Sequence, residues 1–290
     1  MTGVAGGAPG PVEFVDLHTH STASDGTLPP EQVIAAAVRV GLRALALSDH
    51  DTLDGLPAAQ AAGAAAGVRV IAGVELSALM DGRELHLLGL HLEHIGPLEA
   101  HLAEFRATRR TRGELIVERL NTLGIPIQLS AVLAQSAGAS LGRPHVARAM
   151  VEGGWAHDFK DAFDRFLGTG RPAFVPKHRL MMADAITMIH DAGGLAVWAH
   201  PAHEGSREKI AALIPLGLDG VEVRHPSHNA EDIMRLQALT EHFRLVPSGG
   251  SDWHGASEGP RTLGNMRVPR TMLDQQDTVV ASRRAATMSS

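Results

Sequence analysis

Seventeen histidines and no cysteine in 290 residues set the chemistry open to this chain. Imidazole nitrogen and carboxylate oxygen are the donors it can offer a metal. Thiolate nucleophiles, disulfides and cysteine-held zinc or iron–sulfur centres are excluded. The histidines and acids also fall in a pattern: His18, His20 and Asp25; Asp49 and His50; Glu75; His86; His200; Glu222 and His225; Asp252 and His254. Taken singly, each has an ordinary explanation. A His-x-His is about as often a surface pair as a ligand pair. Asp49 could cap a helix, Glu75 could sit in a buried ion pair, and His86 in an apolar strand could bond to backbone. Those explanations would have to hold independently at every position, and uncompensated carboxylates packed together repel and are costly to desolvate. Divalent cations remove that cost. Hard oxygen and borderline nitrogen donors suit manganese, iron or zinc better than calcium or cuprous copper.

The elements that must position these residues can be read from the same sequence. VEFVDLH (12–18) reads as a buried strand. Pro29 and Pro30 open a helix that Gly41 closes, the usual Pro-first, Gly-last order. Residues 42–49 form a second strand, and an alanine-rich helix runs from Pro57 to Ala66, stopped by Gly67. Strands follow at 68–76 and 84–90. Strands alternating with helices predict parallel βα units. From Gly96 to Arg171 only helical spacing is found: one long helix ended by Gly124, then shorter ones around 130–137, 143–152 and 158–167. The alternation resumes with a helix at 183–191, a strand at 195–200, a helix at 207–214, a strand at 217–225, a helix at 230–243 and a strand at 243–252. The expected fold is α/β, a βα barrel over 12–95 and 173–270 interrupted by an all-helical insertion at 96–172. The stretch 271–290 is expected to be a tail, with RRAATMSS at its end disordered. Nearly every strand then delivers a histidine or acid at or near its C-terminal end, the face that holds the active site of such barrels.

Composition narrows the function. With 26 basic and 32 acidic residues the net charge is −6, which argues against a dedicated duplex-DNA binder. Seven Phe, three Trp and no Tyr leave few parts for a base-stacking platform. The N-terminal MTGVAGGAPGPV lacks the charged and apolar regions of a secretory signal, and no apolar run approaches the ~20 residues of a membrane span. The expectation is a cytoplasmic, soluble protein with no membrane partner.

Six stretches together carry a family resemblance. His18-Thr-His20 with Asp25, Ser48-Asp49-His50-Asp51-Thr52, Gly73-Val-Glu75, Glu84-Leu-His86-Leu-Leu-Gly89, Ala199-His200-Pro201 and Gly250-Ser-Asp252-Trp-His254-Gly255 resemble, in order, the motifs of the PHP (polymerase and histidinol phosphatase) superfamily. Gly142-Arg143-Pro144-His145 within a helical insertion resembles the stand-alone members that act on nucleoside 3′,5′-bisphosphates and on short RNA or DNA from the 5′ end. No polymerase module is visible. The resemblance implies a distorted seven-stranded βα barrel and up to three divalent metals, manganese foremost and iron or zinc as alternatives. Carried over motif by motif, His18, His20, Glu75 and Asp252 would hold one ion. Glu75, His86 and His200 would hold a second, with Glu75 bridging, and Asp25, His50 and His254 the third. Asp49 is expected to orient a histidine. Paired ions lower the pKa of a water between them so that it can attack phosphorus in line, and no covalent nucleophile is required. Ser248 and Ser251 are then turn residues.

Recognition of substrate is expected from Arg143, as a bidentate phosphate clamp at a helix start, from Lys177 at the return into the barrel, and from one of His225 and His228, with His228 preferred. Glu222 is read as structural, and Arg109, Arg110 and Arg112 as a solvated face. The expected partner is a nucleotide or a short single-stranded oligonucleotide. Three other functions compete. A histidinol-phosphate phosphatase fits the superfamily but not the insertion. An amidohydrolase would usually carry a lysine on a strand, and none lies on those expected here. A metal-binding scaffold would have lost ligands, and none is missing.

Overall fold

The structure, a computed structural model, describes residues 13–136, 142–176 and 179–288. Strand β1 (Phe14–Thr19) is followed by helix α1 (Pro30–Val40), which ends where Gly41 turns left-handed at φ 80° and caps the carbonyls of Ala37 and Val38. Val33, Ile34, Ala36 and Ala37 form its buried face. Strand β2 (Ala44–Leu47) and helix α2 (Leu56–Ala66) repeat the unit and lead to β3 (Arg69–Met80).

Here the parallel expectation fails. Strand β4 (Arg83–Leu90) pairs antiparallel with β3 from Met80↔Arg83 to Gly73↔Leu90. Only Asp81 and Gly82 join them, at φ 49° and 79°. Two residues cannot make a crossover, whereas Asp-Gly with both φ positive makes a tight hairpin turn.

Helices α3 (Ile95–Thr122), α4 (Leu129–Ser136), α5 (Arg143–Glu152) and α6 (Phe159–Ala162), the last running on into a π-helical turn at Phe163–Leu167, follow, with no strand between them among the described residues. They have a core of their own, built on Ile116, Leu120, Val132, Val146, Met150 and Leu167. The chain returns through β5 (Leu180–Met181), α7 (Met182–Asp191), β6 (Leu195–Trp198), α8 (Arg207–Leu213), β7 (Gly220–Arg224), α9 (Ala230–Phe243), β8 (Val246–Gly249) and β9 (Val268–Pro269), and ends in α10 (Arg270–Met288).

The strand order is β8-β7-β6-β4-β3-β2-β1-β9. The two ends of the curved sheet meet where the Trp253 N–H reaches the His18 carbonyl at 3.4 Å and the His20 N–H donates to the Trp253 carbonyl at 2.9 Å. A Cβ at Gly250 would lie 2.3 Å from His18 Cβ, so only glycine permits that approach. The result is a nearly closed, distorted barrel walled by β1, β2, β3, β4, β6, β7 and β8, with helices around it. Its inside is filled by Val15, Leu17, Ala44, Ala46, Ile71, Leu88, Leu90, Leu195 and Val197.

The stretch read as a tail is instead the 19-residue helix α10. Met272, Leu273, Gln276 and Val280 recur at helical spacing and are buried against the barrel, and the Gln276 side chain donates to the Pro247 carbonyl at 3.0 Å. Among the described residues no helix is long and apolar enough to cross a membrane.

Candidate metal centre and active site

Strand periodicity carries the acids inward. Glu75 lies four residues beyond the inward Ile71 on β3, His86 two residues before the inward Leu88 on β4, and Glu222 between the outward Val221 and Val223 on β7. Glu75 is thus mid-strand and His86 near a strand start, rather than at C-terminal ends, because β4 runs the opposite way. On β1 the register shifts between Asp16 and Thr19. His18 and His20 both reach the cluster beyond that break.

Glu75, 1% exposed, is the hub. Its Oε2 lies 3.1 Å from His18 Nε2, 3.3 Å from His20 Nε2 and 3.3 Å from His50 Nδ1. Its Oε1 lies 2.8 Å from His86 Nδ1 and 3.0 Å from His200 Nε2. Asp252 Oδ1 completes one group, 3.5 Å from His18 Nε2 and 3.2 Å from His20 Nε2. Asp25 Oδ1 is 3.1 Å from His254 Nε2, and Asp25 Oδ2 is 3.8 Å from His50 Nε2. The nine residues expected to be ligands therefore converge. The cluster has a buried floor of His18, His20 and Glu75 and a rim of Asp25, His50, His86, His200 and His254, whose side chains are 26–47% exposed. Among the described residues of the cluster, the exposed side is that rim.

The donor set fits a divalent ion. Both ring nitrogens of His20 are buried and have no hydrogen-bond partner. Its Nε2 is close to two carboxylate oxygens but aligned with neither, as when several donors point at a common centre. Tetrahedral ligands held about 2.1 Å from an ion lie about 3.4 Å from one another. The four histidine–carboxylate spacings between His18 or His20 and Glu75 or Asp252 run from 3.1 to 3.5 Å.

Burial alone would push the histidines down and the acids up, but each outweighs that penalty for the other. The carboxylates of Glu222 and Glu75 hold His18 well above its usual range, and the nearby carboxylates of Asp252 and Glu75 lift His20 to about 8. Against its own burial, Glu75 is held well below the carboxylate range by His18, His20 and His200. His254 and His50 likewise bring Asp25 to about 2. Burial dominates at His50, which is lowered. His200 and Asp252 adopt left-handed backbone at φ 32° and 50°, strain of about 1–3 kcal/mol each that the surrounding structure must sustain.

Residues around the cluster fix its rings. His18 Nδ1–H donates to Glu222 Oε1 at 3.0 Å, which leaves Nε2 for the cluster, and Glu222 Oε2 accepts the His200 N–H at 2.7 Å. Glu222, read from sequence as structural, thus orients two candidate ligands. The signal was its place on a strand between two histidine-bearing ones. His254 Nδ1–H donates to the Asp252 carbonyl at 2.9 Å, turning Nε2 towards Asp25. Arg106, unnoticed in the sequence, reaches from α3 to the Asp51 carbonyl at 3.0 Å and steadies the turn after His50.

Other expectations need correction. Asp49 orients no histidine. It accepts from the Ser21 N–H and hydroxyl, both at 2.7 Å, and from the Ser24 hydroxyl at 2.6 Å, shaping the loop between His20 and Asp25. His228 spends both nitrogens on backbone, donating to the Val223 carbonyl at 2.9 Å and accepting the Ala202 N–H at 3.0 Å, so it has none for substrate. His225 is the one in the site. The Ser227 N–H donates to its Nδ1 at 3.1 Å, which leaves the proton on Nε2, 3.3 Å from Asp252 Oδ2. Arg143 opens α5, donates to the Leu167 carbonyl at 3.1 Å and lies 5.6 and 5.4 Å from the Phe163 and Phe174 ring centroids. Lys177 falls outside the described residues.

Comparison with known proteins identifies the family. The PHP domain family matches residues 16–167. The chain is 35% identical over 247 residues to the 5′-3′ exoribonuclease Rnm of Salmonella typhimurium, spanning 82% of this chain and 84% of that one. It is 33% identical over 265 residues to a 3′,5′-nucleoside bisphosphate phosphatase of Chromobacterium violaceum, spanning 87% and 90%. Among solved structures, a Bifidobacterium adolescentis protein described as a metal-dependent phosphoesterase superposes with a TM-score of 0.72 at 30% identity, covering 92% of this chain and 96% of that one.

Proposed function

The chain is a metal-dependent phosphoesterase of the PHP domain family, and we propose that it releases phosphate from nucleotides, either nucleoside 3′,5′-bisphosphates or short oligonucleotides taken from the 5′ end. The observation that carries the reading is Glu75, a buried carboxylate facing the nitrogens of His18, His20, His50, His86 and His200.

On this reading His18, His20, Glu75 and Asp252 hold one ion; Glu75, His86 and His200 a second; and Asp25, His50 and His254 a third. Such ions, manganese foremost, would activate a water and absorb the charge that develops at phosphorus. The protein's own part is to hold the ligands. Glu222 fixes His18 and the backbone of His200, and Asp49 fixes the loop that carries Asp25. His225, buried beside Asp252 with both ring nitrogens engaged, braces that ligand rather than taking the substrate-facing place first given to His228. Arg143 and Lys177 are assigned to the phosphate that is not cleaved, which needs a cation of its own because the cluster can engage only the scissile group. The insertion, which leaves after β4 and returns before β6, is assigned as a cap over the rim. The compartment we propose is the cytoplasm.

The test is phosphate release by chelator-treated protein, with and without Mn²⁺, from adenosine 3′,5′-bisphosphate, a 5′-phosphorylated oligoribonucleotide, histidinol phosphate and a plain sugar phosphate. We expect no release without metal, and with it a kcat/KM for the nucleotides at least about tenfold above the other two. Equal kcat/KM across the panel overturns the nucleotide assignment, and full activity of metal-free protein overturns the role of the cluster. Arg143→Ala should cost the bisphosphate about 2 kcal/mol of kcat/KM with metal content unchanged. A fall in metal content would instead place Arg143 in the support of the centre.

A further inference from the structure

Asp252 differs from the other acids of the cluster in what holds its outer oxygen. Oδ1 faces His20 Nε2 at 3.2 Å and His18 Nε2 at 3.5 Å. Oδ2 faces His225 Nε2 at 3.3 Å and is also ion-paired with Arg261. The side chain of Asp252 is 9% exposed and that of Arg261 48%, so the guanidinium stands at the edge of the centre with one end directed inward.

The loop that delivers it is anchored. Trp253 Nε1–H donates to the Ala256 carbonyl at 2.8 Å, Thr262 Oγ1 to the Gly259 carbonyl at 3.1 Å, Asn265 Nδ2 to the Pro260 carbonyl at 3.1 Å, and the Gly264 N–H to Asp16 Oδ2 at 2.9 Å. Arg261 is therefore presented to Asp252 by fixed backbone on both sides.

We propose that Arg261 is a positioning residue of the metal centre. Together with His225 it ties Oδ2 of Asp252 so that this ligand offers an ion a single oxygen, and it alone keeps a permanent positive charge beside that ion. The inference rests on the metal centre proposed above and extends it. A carboxylate with both oxygens open can chelate an ion through both. With Oδ2 taken, Asp252 fills one coordination position and leaves another for water or substrate. A guanidinium does not lose its proton at any pH the protein meets, and its charge opposes a cation on the far side of the same carboxylate. The ion is thus held less tightly than its ligands alone would hold it, in exchange for an open position. A residue that merely braced the loop would act the other way, since its loss would let Asp252 sag and loosen the ion. His225 remains on Oδ2 when Arg261 is replaced, so Asp252 keeps part of its orientation.

The two roles separate in Arg261→Gln and Arg261→Lys. Each protein is stripped of metal, checked by circular dichroism and thermal midpoint, titrated with Mn²⁺ by calorimetry, and assayed on adenosine 3′,5′-bisphosphate. R261Q is expected to bind the first Mn²⁺ about threefold or more tighter than wild type, and to turn over about tenfold or more slower with KM little changed. R261K, which keeps the charge, is expected to bind Mn²⁺ as wild type does and to recover part of the lost kcat. Unchanged or weaker Mn²⁺ binding by R261Q, or undiminished turnover, overturns the inference. Should R261Q fail to fold, R261K decides, and a weaker Mn²⁺ affinity there is equally fatal. Wild-type protein that binds no divalent ion overturns the metal centre itself, and the role of Arg261 falls with it. Wild-type binding with an unaltered R261Q overturns Arg261 alone.

Discussion

Two of the buried carboxylates of this barrel that have histidine neighbours, Asp219 and Glu75, lie at opposite ends. At the closed end Asp219, which precedes β7, accepts from His190 Nε2 at 2.8 Å and from the Ala196 N–H at 2.8 Å on one oxygen, and pairs with Arg283 of α10 on the other. Each partner brings its own hydrogen, and the group is satisfied by protein alone. At the open end Glu75 faces imidazoles on both oxygens, and the His20 ring among them has no hydrogen-bond partner. Asp219 ties a terminal helix and two strands together. The Glu75 cluster carries more nitrogen donors than hydrogen bonds can use, so its balance calls for cations. Burial and a histidine neighbour are common to both acids, and the difference lies in whether the partners are spent.

Substitution at the two acids should show that difference most strongly. Glu75→Gln keeps the shape but removes the charge that the proposed centre shares between two ions, and should lower kcat by about a thousandfold or more, ~4 kcal/mol of barrier, with loss of bound metal by elemental analysis. Retention of a tenth of wild-type activity would remove Glu75 from the centre. His20→Ala and Asp252→Ala should follow it closely.

Asp219→Asn is the opposite case. It breaks a buried pair with His190 and Arg283 and should cost about 3 kcal/mol of unfolding free energy, read by denaturant titration, while kcat per folded, metal-loaded molecule stays within about twofold. A selective loss of kcat there would erase the contrast between the ends.

The smallest effect is in pH. His20 rises from the ordinary histidine value to about 8 in the metal-free protein. A raised histidine contributes stability that is complete below the unfolded value of about 6.5 and fades as pH climbs through the folded value, here near 8. Metal-free protein should therefore lose about 2 kcal/mol between pH 6 and 9, while Mn²⁺ binding strengthens over the same range because proton and ion compete for His18 and His20. Thermal midpoints at four pH values, with and without Mn²⁺, would show the two trends diverging. Parallel trends would mean that the ion does not occupy the protonated positions.

Much of this site was legible before any coordinates. The donor types, their place on strands and the interruption of the barrel by helices follow from residue inventory, from periodicity and from Gly and Pro signals at Pro30, Gly41 and Gly67. What escaped had physical reasons. The turn of β4 rested on the single dipeptide Asp81-Gly82, whose hairpin signal was outweighed by the surrounding βα rhythm. Helix α10 opens with Arg270 and carries its buried stripe on only Met272, Leu273, Gln276 and Val280, a pattern too thin to separate from a polar tail. Glu222 rather than Asp49 came to orient histidines, and His228 went to backbone, because a side chain's partners depend on which segments pack against it.

By itself, then, the sequence determined the inventory: histidine and carboxylate without thiol, one or two per strand, enough to exclude cysteine chemistry and to demand a cation. Alternation along β3, β4 and β7 further determined which acids and histidines point inward, since a period of two is a property of the strand alone. Only the tertiary structure decided how those residues are grouped. The register break in β1 lets His18 and His20 share Glu75 and Asp252. The absence of a side chain at Gly250 lets β8 close on β1, and a folded-back loop brings Arg261 to Asp252. Such contacts join residues as many as 234 positions apart, as in His18–Asp252. No local propensity encodes them, because their free energy exists only once the barrel has brought both partners out of water.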